Sequence, residues 1–386
     1  MVKRILILLL VLSSALQVFS LDLHTEPSLE IFSARMAGMG GYHAALADDV
    51  SVLFSNPAGY RVPEPELSVA ELTLNLTGPI FDMANLFLEG GDLLNNPDTY
   101  EIFDSLYSGI GLVGPIAVAF VGDGVGFGIY NQTSTIIRSP TATEFESTVR
   151  EELLLTGGYS FRLPAFEGTI HTLDLGLSMK GFLRGEGGFT YSLLLINDFM
   201  DNLGPDLLLN EPYANITGIG FDLGLLYSYG DALSVGLVGQ DVFSPTLRSS
   251  YTSMQDYLDG NDAIDKENGV LPFQLHAGLR YTPPLGPLSR YFSDVDLYFD
   301  YRNMFDFLFF PELATNPVLH LSFGAEFRML EILSLRTGLY QGLLAAGLGV
   351  DLNFATLNMA MYGTEQSLEP GMQPVYNVIL GLEFRY

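Results

Sequence analysis

The chain has 386 residues, a formal net charge of −28 and no cysteine. Such an excess of acids repels phosphate backbones, which excludes nucleic acid as a partner, and it argues against peripheral docking on anionic lipid. The absence of cysteine excludes disulfides, thiolate metal sites, a cysteine nucleophile and a lipid-modified N-terminal cysteine. Only 16% of the residues are charged and 48% are hydrophobic, a balance between those of soluble and membrane proteins.

The first twenty residues have the layout of a secretory signal peptide. Lys3 and Arg4 form a basic start, residues 5–12 form an apolar stretch, and residues 18–20 (Val-Phe-Ser) suit cleavage. The apolar stretch is too short for a transmembrane helix, although an uncleaved N-terminal anchor stays open as an alternative. We therefore expect residues 1–20 to direct export beyond the inner membrane.

Residues 21–63 do not have the pattern of a strand-rich wall. Residues 34–41 are mostly small, residues 43–55 favour a short helix, and residues 56–59 (Asn-Pro-Ala-Gly) favour a turn. Small residues allow backbone to pack closely inside a lumen.

Further along the chain, alternation of apolar and polar residues is the main signal. Phe221, Leu223 and Leu225 alternate with Asp222 and Gly224, and no apolar run is long enough to cross a bilayer as a helix. Alternation also fits a soluble sandwich with one wet face. The pattern predicts about fourteen strands, near 67–76, 111–121, 125–138, 147–162, 169–183, 215–229, 231–242, 271–282, 293–303, 317–328, 331–341, 343–353, 355–364 and 374–386.

The connections between these strands favour a barrel over a sandwich. Long loops near 77–110, 184–214, 243–270 and 304–316 largely alternate with short turns. The very short connection between the predicted strands 331–341 and 343–353 breaks this alternation. Short turns on one side and long loops on the other are the pattern of bacterial outer-membrane barrels. We therefore predict an all-β membrane protein with an antiparallel transmembrane β-barrel over residues 64–386, located in the bacterial outer membrane.

The last predicted strand supports the same architecture. It ends on an aromatic residue and places six apolar side chains on one face: Tyr376, Val378, Leu380, Leu382, Phe384 and Tyr386. Strands of this kind are typical of barrels that the outer-membrane assembly machinery recognises, although ordinary terminal strands are also amphipathic. We expect that machinery and the lipid bilayer as partners.

The segment before the barrel resembles the N-terminal hatch of FadL-type long-chain fatty acid transporters and of related spirochete and PorV-type barrels. The resemblance covers about a tenth of the chain, and the residues that carry it are Gly38, Gly40, Gly41, Asn56, Pro57, Ala58 and Gly59. It implies a hatch, residues 21–63, inside a fourteen-stranded barrel. It also implies passive, hatch-gated uptake of hydrophobic small molecules, long-chain fatty acids above all, with lateral exit at a kinked strand. Pro115 and the pair Gly187-Gly188 are irregular places at which a strand could kink, but turns explain both.

Two groups of residues are candidates for ligand contact. Apolar residues in two long loops provide a landing site, namely Phe81, Leu86, Phe87, Leu194 and Phe199, unless the loops simply cap the barrel. Inward cations, namely Arg280, Arg328 and Arg336, are candidates to meet a carboxylate. The alternative is that Lys180 and these arginines pair with lumen acids, because an unpaired buried charge is costly. These acids are Asp174, Asp222, Asp296, Asp300 and Glu326.

Catalytic chemistry is not indicated. The histidines are scattered, and the sequence contains neither a zinc-protease motif nor a nucleophile elbow. We predict no enzyme activity, catalytic residue, metal or cofactor. The alternative function is a PorV-type binding or assembly barrel, a partner in secretion or surface attachment. An apolar pocket closed by the hatch favours transport, whereas a filled lumen favours docking. A general diffusion porin is disfavoured, because porins are plugged by a loop, whereas here a glycine-rich segment precedes the first predicted strand.

Overall fold

The computed structural model describes residues 24–29, 33–79, 106–141, 143–166, 168–195 and 206–386. The predicted signal peptide and the loop candidates Phe81, Leu86, Phe87 and Phe199 lie outside the described residues. Strands dominate: β1 His24–Thr25, β2 Glu66–Thr77, β3 Tyr107–Gly122, β4 Val125–Thr141, β5 Glu144–Arg162, β6 His171–Ser192, β7 Tyr213–Tyr229, β8 Leu233–Phe243, β9 Pro245–Tyr251, β10 Asp265–Val270, β11 Gln274–Tyr281, β12 Asp294–Tyr301, β13 Leu321–Met329, β14 Leu333–Tyr340, β15 Leu343–Asp351, β16 Ala355–Glu365 and β17 Pro374–Arg385.

Helices are short and lie in the N-terminal segment and the connections. The α-helices are α1 Ala34–Gly38, α2 Val52–Ser55, α3 Asp206–Leu209, α4 Met254–Leu258 and α5 Asp306–Phe309. The 3₁₀ helices are Pro57–Tyr60, Pro164–Phe166, Leu193–Leu195, Gly286–Arg290 and Pro317–His320. Within the described ranges, no helix has the length and apolarity needed to cross a membrane.

Fourteen of the strands close into an antiparallel barrel, as the sequence predicted. They are β2 to β8 and β11 to β17, each paired with its neighbour in the chain apart from the junction of β8 with β11. The last strand closes the ring on the first, with Leu380 opposite Leu74. We call the end that carries residues 66 and 385 the turn end and the opposite end the loop end.

The predicted loop 243–270 is wrong, because it contains the hairpin β9–β10. Only Ser244 separates β8 from β9, and β9 pairs with both β7 and β10. Strand β10 begins with four polar residues, and the pair Ser249-Ser250 interrupts the alternation of β9, so sequence analysis has little pattern to detect. Strands also extend into two other predicted loops, since β3 begins at Tyr107 and β6 ends at Ser192.

The two faces of the wall have opposite chemistry. On β6 and β7 the outward Leu177 and Leu223 are each 51% exposed, whereas the inward Asp174 and Asp222 are buried. The last strand follows the same rule, since its aromatic face points outward and Asn377 is buried inward. An apolar exterior around a polar interior is the arrangement of a transmembrane barrel, because lipid takes the place of the core on the outside.

The N-terminal segment, residues 33–63, crosses between opposite parts of this wall. Helix α1 packs against β14 to β17, whereas the 3₁₀ helix Pro57–Tyr60 packs against β4 to β7. Met36, Leu46 and Tyr60 are fully buried. The apolar core of the protein therefore lies between this segment and the inner face of the barrel.

Candidate functional site in the barrel lumen

The Asn56-Pro57-Ala58 stretch lies directly against glycine positions of the wall. A Cβ at Gly176 would lie 2.2 Å from the amide nitrogen of Ala58, and a Cβ at Gly224 would lie 2.1 Å from Oδ1 of Asn56. The side chain of Asn56 also donates to the carbonyl oxygen of Ala44 at 2.7 Å. It donates to the wall carbonyl of Leu225 at 3.2 Å as well. We call this contact the glycine attachment.

The glycines at the start of the segment approach the wall equally closely. Gly40 has a φ of +83°, and a Cβ there would lie 2.7 Å from the carbonyl oxygens of Phe323 and Leu339. Gly38 lies against Gly347, where a Cβ would be 3.0 Å from the wall backbone. Glycine is required because any side chain would push the segment off the strands. The other predicted motif residues, Gly41, Ala58 and Gly59, are buried in the same segment.

On the opposite side, a buried arginine attaches the segment to the wall through charges. Arg35 makes two hydrogen bonds to Glu326, at 2.6 and 3.1 Å, and two to Asp48, at 2.7 and 2.8 Å. Its guanidinium also lies 2.5 Å from Asp49. Arg336 reaches Glu326 at 2.7 Å, and Arg328 reaches Asp48 at 3.0 Å. We call this network the arginine attachment.

Burial and charge oppose each other at this attachment. Burial by itself would raise the pKa of Asp48, but the hydrogen-bonded Arg35 and the nearby Arg328 lower the pKa to about 2. Burial would likewise lower the pKa of Arg35, and its three carboxylate partners raise it well above the ordinary value. Both groups are therefore ionised at neutral pH, which is the state in which the network holds the segment.

The predicted inward cations are paired with acids, as the alternative interpretation held. Arg280 contacts Asp296 through two hydrogen bonds of 2.9 Å. Lys180 lies 3.0 Å from Asp222 and 2.8 Å from Asp241. Arg328 and Arg336 belong to the arginine attachment. Their role in ligand contact stays a prediction, but each is already engaged by the protein.

Sequence reasoning missed a histidine that adds a third contact between segment and wall. Nδ1 of the buried His43 lies 2.6 Å from the Asp300 carboxylate, and Nε2 lies 3.1 Å from the carbonyl of Met39. The ring stacks on Tyr298 with centroids 4.5 Å apart, and Asp300 also accepts from the backbone of Ala44. The only signal in the sequence was the inward position of Asp300 on its strand. Its partner His43 lies 257 positions away, so the pairing could not be predicted.

Two of the cavities lined by described residues lie inside the barrel, one beside the segment and the other lined by Pro27 and Ser28 ahead of it. The turn-end cavity, about 220 Å³, lies between Arg35 and the wall acids Glu71 and Glu383. The loop-end cavity, about 530 Å³, lies higher along the same strands, and Thr73 lines both. Polar side chains line most of both cavities, so neither is the apolar pocket that would favour transport. Leu194 is 60% exposed and lines neither cavity.

Strand pairing is interrupted beside these cavities. Residues 69–72 of β2 and 114–118 of β3 are unpaired with each other, between the pairs Ser68–Ala119 and Thr73–Val113. The cause lies in the sequence, because Pro115 has no N–H to donate and Gly114 has a φ of +95°.

This interruption, which we call the wall break, lies within a strand. The expectation that a turn explains Pro115 is therefore wrong. It is also wrong for Gly187 and Gly188, which are regularly paired in β6.

Solved structures of two hydrocarbon channels share this architecture. The CymD monoaromatic hydrocarbon channel matches with a TM-score of 0.50 and 13% identity, over 93% of this chain and 98% of that chain. A mutant of the TodX monoaromatic hydrocarbon channel (deltaS2S3) matches with a TM-score of 0.50 and 14% identity, over 93% and 99%. The P. putida toluene transporter TodX gives a TM-score of 0.47 and 14% identity, over 95% and 99%.

No protein-family model and no curated protein matches the chain. At 13–14% identity, the structural likeness is one of fold. The chain therefore has the barrel fold of the FadL-type outer-membrane transporters, the group its hatch motif resembles.

Proposed function

We propose that the protein is a passive outer-membrane channel for small hydrophobic molecules, with residues 21–63 as its hatch. The wall break supports this proposal most directly. It lies where the two cavities meet, since Glu71 lines the turn-end cavity and Thr73 lines both. On the outside of the break, Val69, Leu72 and Ile116 are exposed apolar side chains. An apolar solute leaving the lumen here would meet lipid rather than water.

The proposed path begins at the loop end and needs movement of the hatch. A solute enters the loop-end cavity, passes Thr73 when the segment shifts, and leaves sideways through the break. The glycine and arginine attachments hold the segment in its resting position. The backbone of Gly114 still lies against Glu71 at the break, since a Cβ at Gly114 would be 1.9 Å from the carbonyl oxygen of Glu71. Opening therefore requires the two strands to separate there, but no ladder pair between residues 69–72 and 114–118 has to be broken.

The ligand we favour is uncharged. CymD and TodX, which share the fold, are monoaromatic hydrocarbon channels. A long-chain fatty acid is a further candidate, but its carboxylate needs a cation, and Arg280, Arg328 and Arg336 are all paired. Taking an arginine from a buried acid leaves that acid uncompensated, which is strongly destabilising.

A disulfide staple tests the gating role of the hatch. A Cβ built at Gly381 of β17 would lie 3.4 Å from Cβ of Ala34, close to the separation in a disulfide. The chain has no native cysteine, so Ala34→Cys with Gly381→Cys introduces a single possible bond. We expect oxidation to reduce uptake of radiolabelled toluene or palmitate several-fold in cells carrying the protein, and reduction to restore it.

Each single cysteine variant is the matched control and should transport equally in oxidant and reductant. Unchanged uptake with the staple formed would show that the hatch does not gate. Comparing the two labels decides between hydrocarbon and fatty acid.

A binding or assembly barrel of the PorV type is the second candidate. It is favoured by one observation, namely a lumen occupied by a segment that is attached through buried ion pairs and close backbone contacts. A folded barrel that takes up neither label, and from which mass spectrometry recovers no co-purified lipid, would support this second role.

A further inference from the structure

The wall of the barrel has a long side and a short side. Strands β4 to β7 have 17–22 residues each, whereas β11 to β15 have eight or nine. Eight residues of a tilted antiparallel strand rise about 20 Å along the barrel axis, but the apolar band of an outer-membrane barrel is about 25 Å tall. The short side therefore leaves part of this band to residues outside its strands.

Helix α5, in the loop-end connection between β12 and β13, presents a surface of the required kind. Phe307 is 64% exposed and Leu308 is 66% exposed. The one charged residue of the helix, Asp306, is engaged by the protein, since its carboxylate accepts from the backbone amide of Thr315 at 3.0 Å. The nearest other acid in this connection, Glu312, lies beyond the helix. The exposed surface of α5 is therefore dominated by apolar side chains.

Contacts place α5 against the outer surface of the wall. Gly239 of β8 is an outward position, since it pairs with Leu223, whose side chain is exposed on the apolar exterior. A Cβ at Gly239 would lie 3.3 Å from Cε2 of Phe273, so this ring lies beside the glycine on the outside. The ring of Phe309 packs edge-on against Phe273, with centroids 5.1 Å apart. The apolar exterior thus continues from Leu223 through these two rings to α5.

We propose that α5 is embedded in the bilayer leaflet at the loop end, where it extends the lipid-facing surface of the short side. The occupant of this surface is lipid, because the surface continues one that lipid already covers. Phe307 and Leu308 lie among the acyl chains close to the head groups, and lipid removes their apolar area from water. This contact involves neither the hatch nor the transported molecule.

Tryptophan fluorescence in vesicles tests the depth of the helix, because the chain has no native tryptophan. The full-length Leu308→Trp barrel is folded into phosphatidylcholine vesicles whose acyl chains carry bromine, which quenches tryptophan on contact. We expect at least twofold quenching relative to unbrominated vesicles. Quenching should be stronger with bromine near the head groups than with bromine near the methyl ends.

Ile264→Trp is the matched control. Ile264 is also an aliphatic residue at the loop end and is 69% exposed, but it lies between Asp262 and Asp265 in the connection from β9 to β10. Bromine should not quench this tryptophan, whose emission should be that of an indole in water. Phe307→Trp repeats the measurement from the neighbouring exposed position, and heat-modifiable electrophoretic migration shows that each variant has folded.

An unquenched Leu308→Trp with the emission of Ile264→Trp would overturn the proposal, since the helix would then lie in water. A blue-shifted emission that bromine does not quench would overturn it too, because protein or a solute would then cover the helix. Dilution of the barrel in lipid identifies a second copy as that cover, and added toluene identifies a solute. Uptake of labelled toluene is a separate measurement, so the proposed function can fail while this proposal holds, or the reverse.

Discussion

The N-terminal segment is attached to opposite parts of the same wall by different physical means. At the arginine attachment, Arg35 brings together Asp48 and the wall residue Glu326 through hydrogen-bonded charges. At the glycine attachment, Asn56-Pro57-Ala58 lies so close to Gly176 and Gly224 that no wall side chain fits between them. One attachment depends on ionisation, and the other depends on the absence of side chains.

Because of this difference, a change of pH can weaken the arginine attachment, whereas only a mutation can weaken the glycine attachment. Charged contacts weaken when a carboxylate is protonated, whereas a close backbone contact has no group to titrate. If the segment moves during transport, we expect the arginine attachment to release first and the glycine attachment to act as the fixed point. Four predictions test this order.

The largest effect is expected from Arg35→Met. Removing one partner of a buried ion pair typically costs about 3–5 kcal/mol, because the other charge is left uncompensated. Hydrogen exchange of residues 33–38 should accelerate accordingly, while residues 56–60 keep most of their protection. The control is Arg138→Met, which breaks a pair whose arginine side chain is 58% exposed, and whose contribution should be about 0–1 kcal/mol. Equal effects of the two substitutions would contradict a role of burial.

Gly176→Ala should disturb the other attachment by up to about 3 kcal/mol. Its Cβ would meet the backbone of Pro57 and Ala58 at 2.2 Å, and overpacking of this kind typically costs about 1–3 kcal/mol. Exchange should accelerate at residues 56–60 rather than at 33–38. Gly181→Ala on the same strand is the matched control, since no atom lies within 4 Å of the added Cβ. A Gly176→Ala barrel with wild-type exchange would show that the contact has room to relax.

Acid should loosen only the arginine attachment, by an amount on the order of 2 kcal/mol. The pKa of Asp48 is lowered to about 2 in the folded protein, below its ordinary value. Its contribution to stability is therefore present above about pH 4 and is lost as the pH falls toward 2. Protection factors of residues 33–38 should decline across this window in the wild type. The decline should be much smaller in Arg35→Met, where the main cause of the lowered pKa is gone and only Arg328 remains beside Asp48.

Asn56→Ala should have the smallest effect, about 1–2 kcal/mol. It removes the bonds to the carbonyls of Ala44 and Leu225 and the cap on the amide of Ala58, while leaving the close backbone contact in place. Asn56→Asp distinguishes the two functions of the side chain, because an aspartate still caps Ala58 but cannot donate to Ala44. Thermal unfolding should place Asn56→Asp between the wild type and Asn56→Ala. An unchanged melting temperature in both variants would show that the glycines alone fix this attachment.

The strands that were predicted correctly share one property. Most have an apolar face toward lipid and a polar or small-residue face toward the lumen, so the sequence alternates with a period of two. Strand β3 differs, because its inward Ala117, Ala119 and Val121 belong to the apolar core. The hairpin β9–β10 was missed because the pair Ser249-Ser250 interrupts the alternation of β9 and because β10 begins with four polar residues. Its pairing with β7 depends on a bend between β8 and β9 that only the assembled wall provides.

The candidate site was predicted only where the local properties of a few residues indicate it. Local conformational properties of glycine, asparagine and proline indicated the small-residue stretch 34–41 and the turn 56–59, whereas the role of these residues as a hatch motif came from the resemblance to FadL-type barrels. The wall break was marked by Pro115, whose missing donor is a local property. The predicted strand 111–121 contained this proline, but its irregularity was attributed to a turn. The partners of Arg35 and His43 were not foreseen, since Glu326 and Asp300 lie far along the chain.

The sequence by itself determined the barrel, its inward and outward faces and the close-packing segment ahead of it. These follow from periodicity and from the conformational limits of glycine and proline, which act over a few residues. Tertiary structure decided which charges meet, where the cavities lie and that their lining is polar. Those features depend on the curvature of a closed sheet, which brings residues hundreds of positions apart to within hydrogen-bonding distance.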